Sequence, residues 1–155
     1  MRSNGRAGDS GAMANATRPP FHLAVPVHDI EAARQFYGEV LGFERGRSAQ
    51  RWTDWNMQGH QFVTHQVDGL RSTVAGTNPV DGHEVPVPHF GLVLDVDAFQ
   101  AMADRLRDAG TEFVIEPYLR FEGEPGEQWT MFFLDPSGNA MEFKAFRDID
   151  QLFAV

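Results

Sequence analysis

The feature that most constrains this chain is that it repeats itself. Residues 21–27 (FHLAVPV) and 89–94 (HFGLVL) both alternate in the period-2 manner of a half-buried strand. Each is followed by an amphipathic stretch of helical length and then by three short strand-like runs, and His22 and His89 hold equivalent positions 67 residues apart. A duplication of this kind sets the architecture before any other consideration.

In the first copy Phe21, Leu23, Val25 and Val27 share a face, and His22, Ala24 and Pro26 share the other. Asp29 is placed to cap a helix from Ile30 to Val40, whose apolar stripe is Ile30, Ala33, Phe36, Tyr37 and Val40; Gly42 ends it. Strands are expected at 43–46, 50–56 and 60–67. In the second copy Phe90, Leu92 and Leu94 oppose His89, Gly91 and Val93, and a helix from Val96 to Ala109 carries Phe99, Met102, Ala103 and Leu106. Strands at 112–116, 128–134 and 140–146 follow, the last two joined by the turn sequence DPSGN.

One helix can cover only one face of a four-stranded sheet. The pattern therefore predicts an α+β fold of paired βαβββ modules whose helix-free faces curl around a cavity. Residues 1–20 read as a disordered leader, since Gly, Ser and Asn offer no face to bury. Residues 21–146 form a single domain, with module one at 21–69, a connector at 70–86 and module two at 87–146. The connector shows no period and is punctuated by Gly76, Asn78-Pro79, Asp81-Gly82 and Pro86. In the tail, 147–155, Ile149, Leu152 and Phe153 fall at helical spacing and predict a short helix docked on the body or on a partner.

The absence of cysteine excludes a disulfide scaffold, a cysteine nucleophile, an iron–sulfur cluster and any thiolate zinc site. A net charge of −9 argues against nucleic acid or an anionic membrane as partner. No apolar run approaches the ~18 residues that span a bilayer, and the first residues contain no apolar signal-peptide core; a cytoplasmic location is expected.

The last strand directs the chemistry. Met141, Phe143 and Ala145 share the face that should meet the helix, leaving Ala140, Glu142 and Lys144 on the other. Strand parity thus places Glu142 with His22 and His89 on the faces that helices leave bare. A single strand histidine is most often structural, but two at matched positions of a repeat, with a carboxylate, make the donor set of a mononuclear non-haem metal site. Imidazole and carboxylate suit Fe(II), Mn(II), Ni(II) and Zn(II), and three protein ligands leave positions open.

The segments FHLAVPV, DIEAARQFYGEVLGFE, PHFGLVLDVDAF and MFFLDPSGNAMEF resemble the vicinal oxygen chelate superfamily over about residues 21–146. That superfamily includes glyoxalases, extradiol dioxygenases, fosfomycin-resistance transferases and bleomycin-binding proteins. The resemblance implies paired modules around a divalent metal held by His22, His89 and Glu142. It also implies a fourth ligand or an acid–base group on the 60–67 strand, where His60, Gln61 and His65 are available. Gln61 and His65 share one face, and His65 is favoured because Phe62 belongs under the helix; His60 is the other catalytic candidate and Gln61 a substrate contact.

The segment PYLRFEGEPGEQ, residues 117–128, reads as a loop carrying Tyr118 and Arg120 over the cavity mouth, where Arg120 would meet an anionic group of substrate; its alternative partners are Glu122, Glu124 and Glu127. Trp52, Trp55 and Trp129 line the pocket or fill the core. The residues 129–133 lack the tyrosine that extradiol enzymes of this pattern often carry. The 60–67 strand lacks a carboxylate, other than Asp68 at its end, to serve as a glyoxalase base. The leading expectation is an Fe(II)-dependent, dioxygenase-like enzyme that binds a small substrate through neighbouring oxygens and forms a homodimer. A glyoxalase-type isomerase or lyase using Ni or Zn comes next, and a metal-free, bleomycin-binding type of protein third.

Overall fold

Alternation along the chain becomes pairing across two sheets in the structure, a computed structural model that describes residues 18–153. Most of the expected leader, residues 1–17, lies outside the described residues. In module one, β1 (His22–Val27) leads into α1 (Ile30–Arg34), which runs on as a π-helical stretch (Gln35–Val40). The Asp29 carboxylate caps α1 by accepting from the backbone N–H groups of Glu31 and Ala32 at 2.8 and 3.1 Å. Three strands follow: β2 (Glu44–Ala49), β3 (Trp52–Met57) and β4 (His60–Gln66). The sheet order is β1-β4-β3-β2, with β1 parallel to β4 and the other pairs antiparallel.

Residues 70–86 are more ordered than the sequence suggested. β5 (Gly76–Val80) and β6 (His83–Val87) form an antiparallel hairpin closed by Asp81-Gly82. Both turn residues have positive φ, 49° and 76°, which is the two-residue turn that an Asp-Gly pair favours. Pro79 and Pro86 mask the strand pattern, yet both are tolerated because each strand of a two-stranded ribbon has a free edge.

Module two repeats the first with β7 (Val93–Leu94), α2 (Val96–Asp108), β8 (Phe113–Arg120), β9 (Gln128–Leu134) and β10 (Ala140–Ala145), in the order β7-β10-β9-β8. The opening strand is shorter than its sequence pattern. Pairing nevertheless continues upstream of it: Glu142 N–H donates to Phe90 O at 2.8 Å and Lys144 N–H to Leu92 O at 2.9 Å. β8 runs to Arg120 rather than stopping at Glu116, so Tyr118 and Arg120 belong to the sheet and not to a loop. The tail forms a 3-10 helix (Ile149–Phe153), tied down where Gly126 N–H donates to the Gln151 side chain at 3.2 Å. Of its apolar residues, Leu152 is half-buried, whereas Ile149 and Phe153 are 57% and 84% exposed.

The fold thus matches the α+β expectation. One core cluster draws on both modules, combining Val25, Val27, Phe36, Tyr37, Trp55 and Phe62 with Leu92, Leu94, Phe99, Phe133, Met141 and Phe143. Ring contacts cross the seam, Phe62 to Phe90 at 5.2 Å and Phe36 to Phe133 at 6.3 Å. Trp55 belongs to this core, with its indole N–H on Thr64 Oγ1 at 3.1 Å, and Trp129 packs beside Phe99 of α2. A cleft of about 320 Å³ opens along the seam, lined by Ala24, Pro26, Thr73, His89, Phe90 and Ala140 among others. Among the described residues, no helix is long and apolar enough to cross a membrane.

Candidate metal centre

Because directly paired residues point to the same side of a sheet, the registers define what each bare face carries. On sheet two, the row Glu142–Phe132–Ile115 lies beside the row Lys144–Thr130–Tyr118, followed by Gln128–Arg120. The burial of Met141, Phe143 and Ala145 confirms that the opposite side of β10 is the core side. Glu142, Tyr118 and Arg120 therefore share the helix-free face.

His89 joins Glu142 there. Its Nε2 lies 3.2 Å from Glu142 Oε2, and the Glu142 side chain is only 7% exposed. Its Nδ1 lies 2.7 Å from Pro86 O, a group that can only accept, so Nδ1 carries the proton. The other carboxylate oxygen, Oε1, accepts from the buried Thr130 hydroxyl at 2.7 Å and lies 3.5 Å from Lys144 Nζ. Phe132 closes on the His89 ring edge-to-face, with centroids 5.1 Å apart. Strand parity in the sequence puts Lys144 on the Glu142 face without giving it a role, and the same parity along β9 would have found Thr130, whereas Pro86 depends on the path of the hairpin.

On sheet one, His22 pairs with Gln61 across the parallel β1–β4 ladder, and His22 Nδ1 lies 2.8 Å from Gln61 Oε1. An amide oxygen accepts, so this contact again places the proton on Nδ1 and leaves Nε2 free. His65 shares this face but stands opposite Pro26, about 13 Å along the strand from Gln61. The sequence preference for His65 over Gln61 is therefore not reflected in proximity to His22. His60 lies on the other face, and its Nδ1 accepts the Phe21 backbone N–H at 2.9 Å; that contact fixes the entry to β1 and points away from the helix-free side. Trp52 accompanies His65 on the helix-free side.

Arg120 pairs with none of the glutamates considered from sequence. Its Nε and Nη2 both reach Asp81 Oδ2, at 2.6 and 2.5 Å. Tyr118 stacks near His83, with centroids 5.1 Å apart, and burial is the main cause that holds its phenol above the ordinary tyrosine value.

Among the described residues, no three His, Cys, Asp or Glu side chains converge within the chain. The structure brings His89 to Glu142 and His22 to Gln61, and does not bring the two pairs together. Each pair on its own fits half of a divalent-metal site. In each, the imidazole Nδ1–H is consumed by a carbonyl oxygen, the second contact that orients a metal-binding histidine, and in the His89–Glu142 pair Nε2 faces a carboxylate whose other oxygen accepts from the Thr130 hydroxyl and lies near the Lys144 ammonium.

The family model described as Glyoxalase/Bleomycin resistance protein/Dioxygenase superfamily matches residues 20–143. A solved glyoxalase/bleomycin resistance protein/dioxygenase from Alicyclobacillus acidocaldarius is similar at 29% identity and a TM-score of 0.71, covering 87% of this chain and 96% of that one. The fold alone is shared with a fosfomycin resistance protein, FosX, from Listeria monocytogenes (13% identity, TM-score 0.64, 86% and 97% covered). It is likewise shared with a lactoylglutathione lyase from Agrobacterium tumefaciens (19%, 0.59, 88% and 98%). No curated protein matches the sequence. With duplicated βαβββ modules, bare sheet faces carrying histidine and carboxylate, and a family match over most of its length, the chain belongs to the Glyoxalase/Bleomycin resistance protein/Dioxygenase superfamily.

Proposed function

We propose that this protein is a divalent-metal-dependent enzyme that holds a small substrate through neighbouring oxygens, with His22, His89 and Glu142 as the metal ligands. The observation that carries the reading is the His89–Glu142 pair. Nδ1 is committed to Pro86 O, and Nε2 faces carboxylate Oε2 from 3.2 Å, so these are the two atoms that would hold a shared cation. The Glu142 side chain is 7% exposed and that of His89 30%, so the pair holds a buried carboxylate and a solvent-reachable imidazole nitrogen at a separation that a shared divalent cation can bridge. The third ligand, His22, is supplied by the sheet-one face of a second copy of the chain in a homodimer, since a single chain leaves the two half-sites apart.

When bound, a divalent ion supplies a Lewis acid that polarises substrate oxygens. The protein's own groups do the rest. Thr130 and Lys144 hold Glu142 Oε1 and so aim Oε2; Pro86 O aims the His89 ring; Phe132 packs against that ring and limits water. Tyr118 keeps its proton because burial disfavours the phenolate, so it serves as a donor to a substrate oxygen rather than as a base.

A 2-His-1-carboxylate set with open positions suits Fe(II) and oxygen chemistry, and dioxygenase-like activity is the first reading. The chain loaded anaerobically with Fe(II) is expected to consume oxygen on addition of a catechol from a panel. The glyoxalase-type reading is the second: Gln61 adjoins His22 on the same face at 2.8 Å, and its amide oxygen, turned from Nδ1, would add a fourth oxygen donor. No oxygen uptake across the panel, together with turnover of hemithioacetals by the Ni(II) or Zn(II) form, would reverse the order. A protein purified without chelator that carries no metal and takes up none of Fe, Mn, Ni or Zn would overturn both in favour of simple ligand binding.

Complementation tests the shared site. His22→Ala and His89→Ala proteins should each retain no metal. Refolded together, they should recover about one site per mixed dimer, because one of the two interfaces then unites intact halves. Recovery of none argues for a site within one chain.

A further inference from the structure

The hairpin β5–β6 touches the helix-free face of sheet two at three levels. At its tip Asp81 Oδ2 accepts from Arg120 Nε and Nη2 at 2.6 and 2.5 Å. The Arg120 side chain is 14% exposed, with its guanidinium 4.9 Å from the Phe121 ring centre. Just past the turn, His83 lies against Tyr118 at 5.1 Å between centroids. At its base Pro86 O receives the Nδ1 proton of His89 at 2.7 Å. None of residues 76–87 belongs to the hydrophobic core cluster. A two-stranded hairpin without a core is marginally stable alone, so these contacts decide where it sits.

We infer that Asp81 and Arg120 are positioning residues for the metal ligand His89. Their ion pair pins the hairpin to β8, the pinned hairpin holds the Pro86 carbonyl in place, and that carbonyl fixes the proton position and orientation of the His89 ring. The inference rests on the function proposed above, in which His89 is a ligand. It gives Arg120 a role other than gripping substrate: two of its donors are taken by a carboxylate 39 residues away in sequence, and its flank is covered by an aromatic ring. The Asp81 side chain is 41% exposed, so the hold of this pair rests on two charge-assisted hydrogen bonds converging on one carboxylate oxygen rather than on exclusion of solvent.

The test uses the full chain, Asp81→Asn, Arg120→Gln and Arg120→Lys. Asn tolerates the positive φ at position 81, and Lys can still reach the single oxygen Oδ2. Two quantities are read: amide hydrogen exchange across residues 76–87 in the metal-free protein, and affinity for Zn(II) alone measured against a competing chelator. Asp81→Asn and Arg120→Gln should exchange faster over the hairpin and bind Zn(II) roughly 10–100-fold more weakly, the range seen when a ligand's supporting contact is lost. Arg120→Lys should keep most of both properties.

Unchanged exchange in the two charge-removing variants overturns the pinning. Faster exchange with unchanged affinity overturns the link to His89, and loss of affinity in Arg120→Lys with the hairpin still protected shows that Arg120 acts by another route. If the parent chain binds no Zn(II), the function proposed above fails instead. The inference is then decided by the ring nitrogen shifts of His89, which should show an Nδ1–H form that Asp81→Asn loses; if the form persists, the inference fails as well.

Discussion

The Tyr37 hydroxyl donates to Asp135 Oδ2 at 2.7 Å, joining residues 98 apart in sequence across the seam between the modules. Neither meets solvent to any extent, Tyr37 being fully buried and Asp135 4% exposed. Asp135 also accepts from the backbone N–H groups of Ser137 and Asn139 at 2.8 Å each and from the Asn139 amide at 2.7 Å, and that amide donates onward to Pro26 O at 2.9 Å. The DPSGN turn is therefore a hub that fastens module two to both the helix and the first strand of module one. Tyr37→Phe should lower stability by about 2 kcal/mol, the scale of a buried hydrogen bond to a charged group, visible as an earlier urea midpoint. Metal content should be unaffected.

The same phenol gives a pH signature. Burial, reinforced by the Asp135 charge, holds its pKa well above the ordinary tyrosine value. The unfolded chain releases this proton from about pH 10 upward, while the folded chain retains it. The unfolded state then binds fewer protons, so stability falls as pH rises through that window and is fully present below it. Thermal midpoints measured from pH 8 to 11 should decline at the alkaline end, and the decline should flatten in Tyr37→Phe.

Gly91 is fixed by contact. A Cβ built there would lie 1.8 Å from Glu142 O and 2.9 Å from Phe143 Cδ1. Gly91→Ala should part the Phe90–Leu92 segment from β10, at a cost of about 3 kcal/mol or more, and displace His89 from Glu142. Gly76→Ala, where nothing lies within 4 Å, is the matched control and should unfold like the parent. Urea titration of both variants checks this.

Thr130→Val removes the hydroxyl on Glu142 Oε1 while preserving shape. Metal affinity should drop roughly 10–100-fold, with far-UV circular dichroism unchanged. Glu142→Gln should abolish metal retention with the fold intact. Equal metal content in Thr130→Val and the parent at limiting metal would show that the hydroxyl does not orient the carboxylate.

Much of this protein is legible in its sequence because strand parity is a local property. Leu23, Val25 and Val27 turn inward and His22 outward whatever the strands pair with, and the same holds for Met141, Phe143 and Ala145 against Glu142. The duplication and the bare faces followed from that period, and both helices from the equally local 3.6-residue spacing of their apolar stripes. Pairing across strands is another matter. Gln61 rather than His65 adjoins His22 because the parallel β1–β4 register sets it there, and hydrophobic pattern along β4 does not encode register. Asp81, not a neighbouring glutamate, takes Arg120 because a hairpin whose prolines hide its strand pattern folds back onto β8. The sequence by itself determined which side of each strand a residue faces, since that depends only on backbone geometry. Only the tertiary structure decided which residues meet, since that depends on how separate pieces of chain dock to bury a common core.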